Sequence, residues 1–173
     1  MKVRLEDISR FIEDHNLSPL CQTEDEMVTI SDASLSGKDE VETPDDYWSI
    51  LVERDSEMKA KQAKWDAEYS AISLHRKAGM ECEANGDIDE AINEYAESIR
   101  LGENAENDMF HAFGYSYTRI IVLLDKVKRF AKEIDYIEAV LNHSMKDSER
   151  GKYAARLEKT KVKLVKQSND GRI

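Results

Sequence analysis

Apolar residues recur along this chain at three- and four-residue steps, the spacing of helices that each bury one face. The clearest run is Ile88, Ala91, Ile92, Tyr95 and Ile99, set against Asp89, Glu90, Asn93, Glu94, Glu97 and Arg100 on the other side. Asp87, followed three residues on by Glu90, is a capping-box variant that opens this helix, and Asn85-Gly86-Asp87 is turn chemistry. Upstream, Ile72, His75, Ala78, Gly79, Met80 and Cys82 make a facing helix. A glycine inside a helix costs propensity unless a neighbour must come close there. Ala78, Gly79 and Ala91 therefore predict the contact point of an antiparallel helical hairpin over residues 71–102, with Gly102 as its C-cap.

The same periodicity divides the rest of the chain. Leu5, Ile8, Phe11 and Ile12 predict a short amphipathic helix within residues 1–17. Residues 18–42 are acidic and Ser/Asp-rich, a composition that predicts a mobile linker; only Met27-Val28-Thr29-Ile30 could pair as a strand. Thr43 as N-cap and Pro44 in the first turn start a flanking helix over 43–70. Trp48, Leu51, Val52, Met58, Trp65, Tyr69 and Ile72 form its stripe, interrupted by Asp55 and Gln62, and any break falls near Ser70. Both tryptophans sit on the stripe, which favours anchors of a helix seam over the alternative of ligand platforms.

A second hairpin spans residues 106–143, with Tyr117, Ile120, Ile121, Leu124 and Val127 inward on one helix and Phe130, Ile134, Ile137 and Leu141 on the next. Its turn, Asp125-Lys126-Val127-Lys128, lacks a glycine. A closing helix covers 144–167, with Tyr153, Leu157 and Leu164 inward and lysines and arginines over much of the remainder, and 168–173 should fray.

The first hairpin resembles a tetratricopeptide repeat. His75 takes the first aromatic place of that signature, Ala78-Gly79 its Leu-Gly, Cys82 the next aromatic, Ala91 the alanine and Tyr95 the aromatic of the second helix, while Glu103 stands at the closing proline. Placing Phe130 opposite Ile88 puts Glu133 opposite Ala91 and Ile137 opposite Tyr95, an interval of 42 residues against the family's ~34. The resemblance implies an all-α fold of antiparallel hairpins between a long flanking helix and a closing helix. It also implies an inner groove, lined by the first helix of each hairpin, that holds a peptide or a partner helix. Carried over by position, the groove residues are Ser73, Arg76, Met80, Glu83, Tyr115, Thr118, Arg119, Val122 and Lys126. Arg76, Arg119 and Lys126 would favour an acidic or C-terminal carboxylate ligand. Met80 stands where chaperone-binding members of the family carry asparagine.

Composition narrows the classes of function. In 173 residues, 35% are charged, the mean hydropathy is −0.65, and only two prolines and seven glycines interrupt the chain, as suits long solvated helices. The net charge of −11 is uneven: residues 1–45 hold 4 basic and 12 acidic groups, 46–110 hold 7 and 16, and 111–173 hold 14 and 8. Nucleic-acid binding by the whole domain is disfavoured. No run reaches the ~18 apolar residues of a transmembrane segment and no apolar leader follows Met1, so a cytoplasmic location is expected.

Cys21 and Cys82 offer no disulfide framework, and His15, His75, His111 and His143 are dispersed, so neither metal nor cofactor is expected. No phosphate-binding glycine loop is present, and acid pairs such as Glu81/Glu83 read as solvated surface, so an enzyme is not expected. The expectation is a protein-interaction or scaffold module whose partner is a protein or an acidic peptide. Two rivals are an accessory protein gripping nucleic acid or anionic membrane through its basic C-terminal helix, and a homo-oligomer formed through the Trp48–Tyr69 helix.

Overall fold

The structure, a computed structural model, describes residues 1–170. The protein is mostly α-helical, with consecutive helices packed as antiparallel pairs. It divides into two compact units, Met1–Lys64 and a second beginning at Trp65. The elements are β1 (Lys2–Arg4), α1 (Leu5–Asp14), a 3-10 turn (Pro19–Cys21), α2 (Glu24–Leu35), β2 (Glu40–Glu42), α3 (Tyr47–Asn85), α4 (Ile88–Glu103), α5 (Phe110–Lys126), α6 (Phe130–Leu141) and α7 (Asp147–Asp170). Helix α3 contributes residues 47–64 to the first unit and 65–85 to the second.

The first unit corrects the sequence reading most. Residues 18–42 are not a loose linker: they hold the 3-10 turn, α2 and β2. Helix α2 opens with a full capping box, in which Glu26 N–H donates to Thr23 Oγ1 at 3.2 Å and Thr23 N–H donates to Glu26 Oε2 at 2.7 Å. Glu24, Asp25 and Glu26 fill its first turn, where the helix dipole favours negative charge. Gly37, at φ 68°, closes it: Lys38 N–H reaches Ala33 O and Gly37 N–H reaches Ser34 O, the paired bonds of a Schellman cap. Met27–Ile30 lies inside this helix, whereas the strands form at Lys2–Arg4 and Glu40–Glu42.

Those strands pair antiparallel, Lys2 opposite Glu42, Val3 opposite Val41 and Arg4 opposite Glu40. Two valines point inward and opposite charges flank them. Val3, Val41, Ile8, Cys21, Ala33, Tyr47 and Leu51 form the core. Asp55, which interrupts the apolar stripe, is only 3% exposed because it accepts Ser18 N–H at 2.7 Å and Lys59 Nζ at 2.7 Å. These two bonds hold its carboxyl below the ordinary range, Lys59 contributing most. The predicted α1 is present and ends as expected near Asn16, whose φ of 48° completes a Schellman cap through Leu17 N–H and Ile12 O. Helix α3 starts at Tyr47, after a turn at Pro44, and has no break at Ser70.

The second unit is built from α4–α7 and the C-terminal part of α3. Gly86 (φ 86°) turns α3 into α4, with Asp87 N–H on Cys82 O at 2.9 Å. The turn from α5 to α6 has the same geometry without glycine: Lys128 adopts φ 58° and Arg129 N–H reaches Leu124 O at 2.9 Å. Tyr95, Ala91, Phe113, Tyr117, Ile120, Leu124 and Ile137 lie in one continuous core.

Gly79 lets Tyr95 against the backbone of α3, since a Cβ there would stand 2.8 Å from Tyr95 Cδ1. Gly102 is not a cap: α4 continues to Glu103, and a Cβ on Gly102 would fall 2.1 Å from Phe113 Cδ1. The glycine is there to receive a ring. The residues expected to fray at 168–170 continue α7, and 171–173 lie outside the described residues.

Candidate functional site

Three helix segments of the second unit run side by side in the same direction, and cross-links of nearly constant sequence step fix their register. Arg76 of α3 donates to Ala112 O of α5 at 2.9 Å, and Arg119 Nε of α5 donates to Glu83 Oε2 of α3 at 3.1 Å; each pair is 36 residues apart. Arg156 of α7 donates to Ile121 O of α5 at 3.2 Å, and Thr118 Oγ1 meets Tyr153 Oη at 3.0 Å; each pair is 35 residues apart. Helix α7 therefore repeats against α5 the relation that α5 has to α3. Helices α4 and α6 complete the pairs.

On α3 and α5 the predicted groove residues fall at helical steps, Arg76, Met80 and Glu83 on one and Tyr115, Arg119, Val122 and Lys126 on the other. The structure brings Glu83, Arg119 and Tyr115 together around Tyr95. Arg119 forms a two-point pair with Glu83, Tyr95 Oη donates to Glu83 Oε2 at 3.1 Å, and the Tyr95 and Tyr115 rings meet edge to face at 6.4 Å. The Arg119 guanidinium holds the Glu83 carboxyl below the ordinary glutamate range, while burial, then Glu83, pushes the Tyr95 hydroxyl well up.

Arg119 thus spends its charge inside the protein, and Arg76 spends a donor on a carbonyl. Met80 (47% exposed) and Tyr115 (44% exposed) remain open, as does Lys126; Val122 is half-buried, and Ser73 is buried with an unpartnered Oγ.

The concave surface lies one helix further on than those residues imply. Between α5 and α7 is an open cavity of about 780 Å³ with an aromatic and apolar floor of Phe110, Tyr115, Met145 and Tyr153. Of the predicted residues, Tyr115 and Thr118 line it; the others do not. Gly114 is part of its lining, packed close to the Phe110 ring, for a Cβ there would stand 3.2 Å from Phe110 Cε1. Its far wall is α7, with Lys152, Arg156, Lys159 and Lys163 on one helical face and Glu149 at one end.

Two of these cations are committed. Arg156 Nε donates to Oε1 of the fully buried Glu133 at 2.8 Å, and Lys163 pairs with Asp125 at 2.5 Å beneath the Phe130 ring. Lys152 and Lys159, two helical turns apart, have no carboxylate partner among the described residues. The sequence reading gives α7 a closing role, with a grip on nucleic acid or anionic membrane as its rival, and does not place it as the wall of a groove; the signal is the spacing of 152, 156, 159 and 163 on one face.

No family model matches the chain, and neither do the curated proteins or the solved structures searched. Among the described residues no helix is long and apolar enough to cross a membrane.

Proposed function

We propose that the second unit is a protein-interaction module of tetratricopeptide type, which holds an acidic, partly apolar segment of a partner protein in the groove between α5 and α7. Steps of 36 and 35 residues between successive inner helices, close to the family's ~34, support the architectural half of this reading. So does the packing of Tyr95 on Gly79 in a core that also holds Ala91. The observation that carries the functional half is the pair of unneutralised ammonium groups, Lys152 and Lys159, above the apolar floor of Phe110, Tyr115 and Tyr153. Aromatic rings would take the apolar side chains of a ligand, and the lysines would select carboxylates beside them.

The volume suits a few side chains of a short segment, within the ~300–1,000 Å³ of ordinary ligand pockets. Nucleic acid is a poorer fit to α7. Arg156, Lys161 and Lys163 are matched to Glu133, Glu138 and Asp125, which leaves few cations free for phosphates.

A peptide-display selection on the whole protein tests the reading. Enriched sequences should carry Asp or Glu beside an aromatic or aliphatic residue, and Lys152→Glu/Lys159→Glu should raise their Kd by about tenfold or more. Enrichment without acidic residues, or equal binding by the charge-reversed protein, would overturn it.

A further inference from the structure

The first unit carries a surface of the opposite chemistry. Phe11 and Trp48 meet with ring centroids 4.6 Å apart, and His15 stacks on Phe11 at 4.0 Å. His15 Nδ1 and the Phe11 carbonyl oxygen are 3.0 Å apart, which fixes the imidazole in that stack. Neither Phe11 nor Trp48 is fully buried, and Val52, one turn beyond Trp48, is 42% exposed. These side chains line a shallow depression of about 580 Å³, and its other rim is Glu53 and Glu57 of the same helix.

The rim is electrostatically incomplete. Glu53 and Glu57 are four residues apart on one helix face, where like charges repel, and neither has a cation partner among the described residues. The surrounding chain does not supply one on balance: residues 1–64 hold 8 basic and 16 acidic groups. Such a unit draws cations toward itself, and its field is strongest where carboxylates adjoin apolar side chains that exclude water.

We infer that this depression docks a basic segment of a second partner, an Arg or Lys side chain lying over Trp48 with its charged head between Glu53 and Glu57. The long stem of such a side chain fits an apolar surface and its head completes the carboxylate pair. An arginine is preferred, because its planar guanidinium both stacks on an indole and forks to carboxylate oxygens. An acidic partner is rejected by the same two glutamates. The unit therefore selects by charge in the sense opposite to the groove between α5 and α7.

Fluorescence of Trp48 reports on this directly once Trp65→Phe has removed the other indole. The probe is a synthetic peptide of alternating arginine and leucine, compared with its counterpart in which glutamate replaces arginine. The arginine peptide should change Trp48 emission saturably and less tightly at higher salt. Glu53→Gln/Glu57→Gln should raise its Kd at least fivefold, and Val52→Lys, a surface change that leaves the core intact, should abolish the response. No emission change up to millimolar peptide, or the same change with the glutamate peptide, would overturn the inference. So would self-association that depends on Glu53 and Glu57 with no peptide response, since the occupant would then be a second copy of this chain.

Discussion

Glu83 and Arg119 stand 36 residues apart in sequence and form one two-point ion pair, with Tyr95 Oη completing the carboxylate's contacts. The pair locks α3 to α5 at the register that Arg156 and Thr118 then repeat between α5 and α7. Its energetics can be titrated. Because Arg119 depresses the folded-state pKa of Glu83 below the ordinary value of 4.5, the pair's contribution is complete above that pH. It is lost as pH falls through the folded value. Urea denaturation followed from neutral pH down to pH ~3 should show a shallower acid loss of stability in Glu83→Gln than in the parent. Parallel curves for the two proteins would show that the pair does not contribute to acid stability.

Glycines that admit rings should be the least tolerant positions in the second unit. Gly102→Ala places its Cβ 2.1 Å from a buried Phe113, and Gly79→Ala places one 2.8 Å from a buried Tyr95. Losses of about 3 kcal/mol at Gly102 and about 2 kcal/mol at Gly79 are expected by chemical denaturation. Gly151 of α7 is the control: it is exposed, nothing lies within 4 Å of its Cβ position, and alanine there should stabilise by about 0.5–1 kcal/mol. Equal effects at all three sites would contradict the packing described.

Glu133 is a charge placed where the first hairpin has Ala91, and Arg156 is what permits it. Arg156→Met strands the buried carboxylate and should cost roughly 3 kcal/mol, the low end for such a break because Arg156 is about a third exposed. Glu133→Leu/Arg156→Met should recover to within about 1 kcal/mol of the parent. If the double variant is no better than the single one, α7 is not held through this pair.

The turn between α5 and α6 stores a small conformational cost. Lys128 adopts φ 58° where glycine serves at Gly86 and Gly37. Lys128→Gly should raise the stability of the second unit by up to about 1 kcal/mol, while Gly86→Ala should lower it by about 1 kcal/mol although space is free there.

What the sequence disclosed followed from how many side chains each element buries. Tyr95, Ala91, Ile120 and Ile137 recur with helical period because α4, α5 and α6 are enclosed by neighbours. Helix α2 buries only Ala33 fully, so no apolar stripe announced it; its signature was the Thr23/Glu26 capping box. The ribbon was hidden for a related reason, as strands of three residues with one inward valine each make no alternation to read. Gly102 was misread because a glycine near a helix end looks the same whether it caps or receives a ring. Tyr115 and Thr118, expected to face a groove, line the cavity between α5 and α7, but the lysine wall opposite was not legible, since a basic helix that closes a stack and one that walls a groove share a composition.

The face shared by α5 and α7 is the proposed partner surface. NMR titration of the isotopically labelled protein with an acidic, aromatic-containing peptide reads that face residue by residue. Shifts concentrated at Tyr115, Thr118, Lys152, Tyr153 and Lys159, and lost in Lys152→Glu/Lys159→Glu, are the predicted result. Shifts confined to the outer faces of α4 and α6, or persisting unchanged after charge reversal, would contradict it.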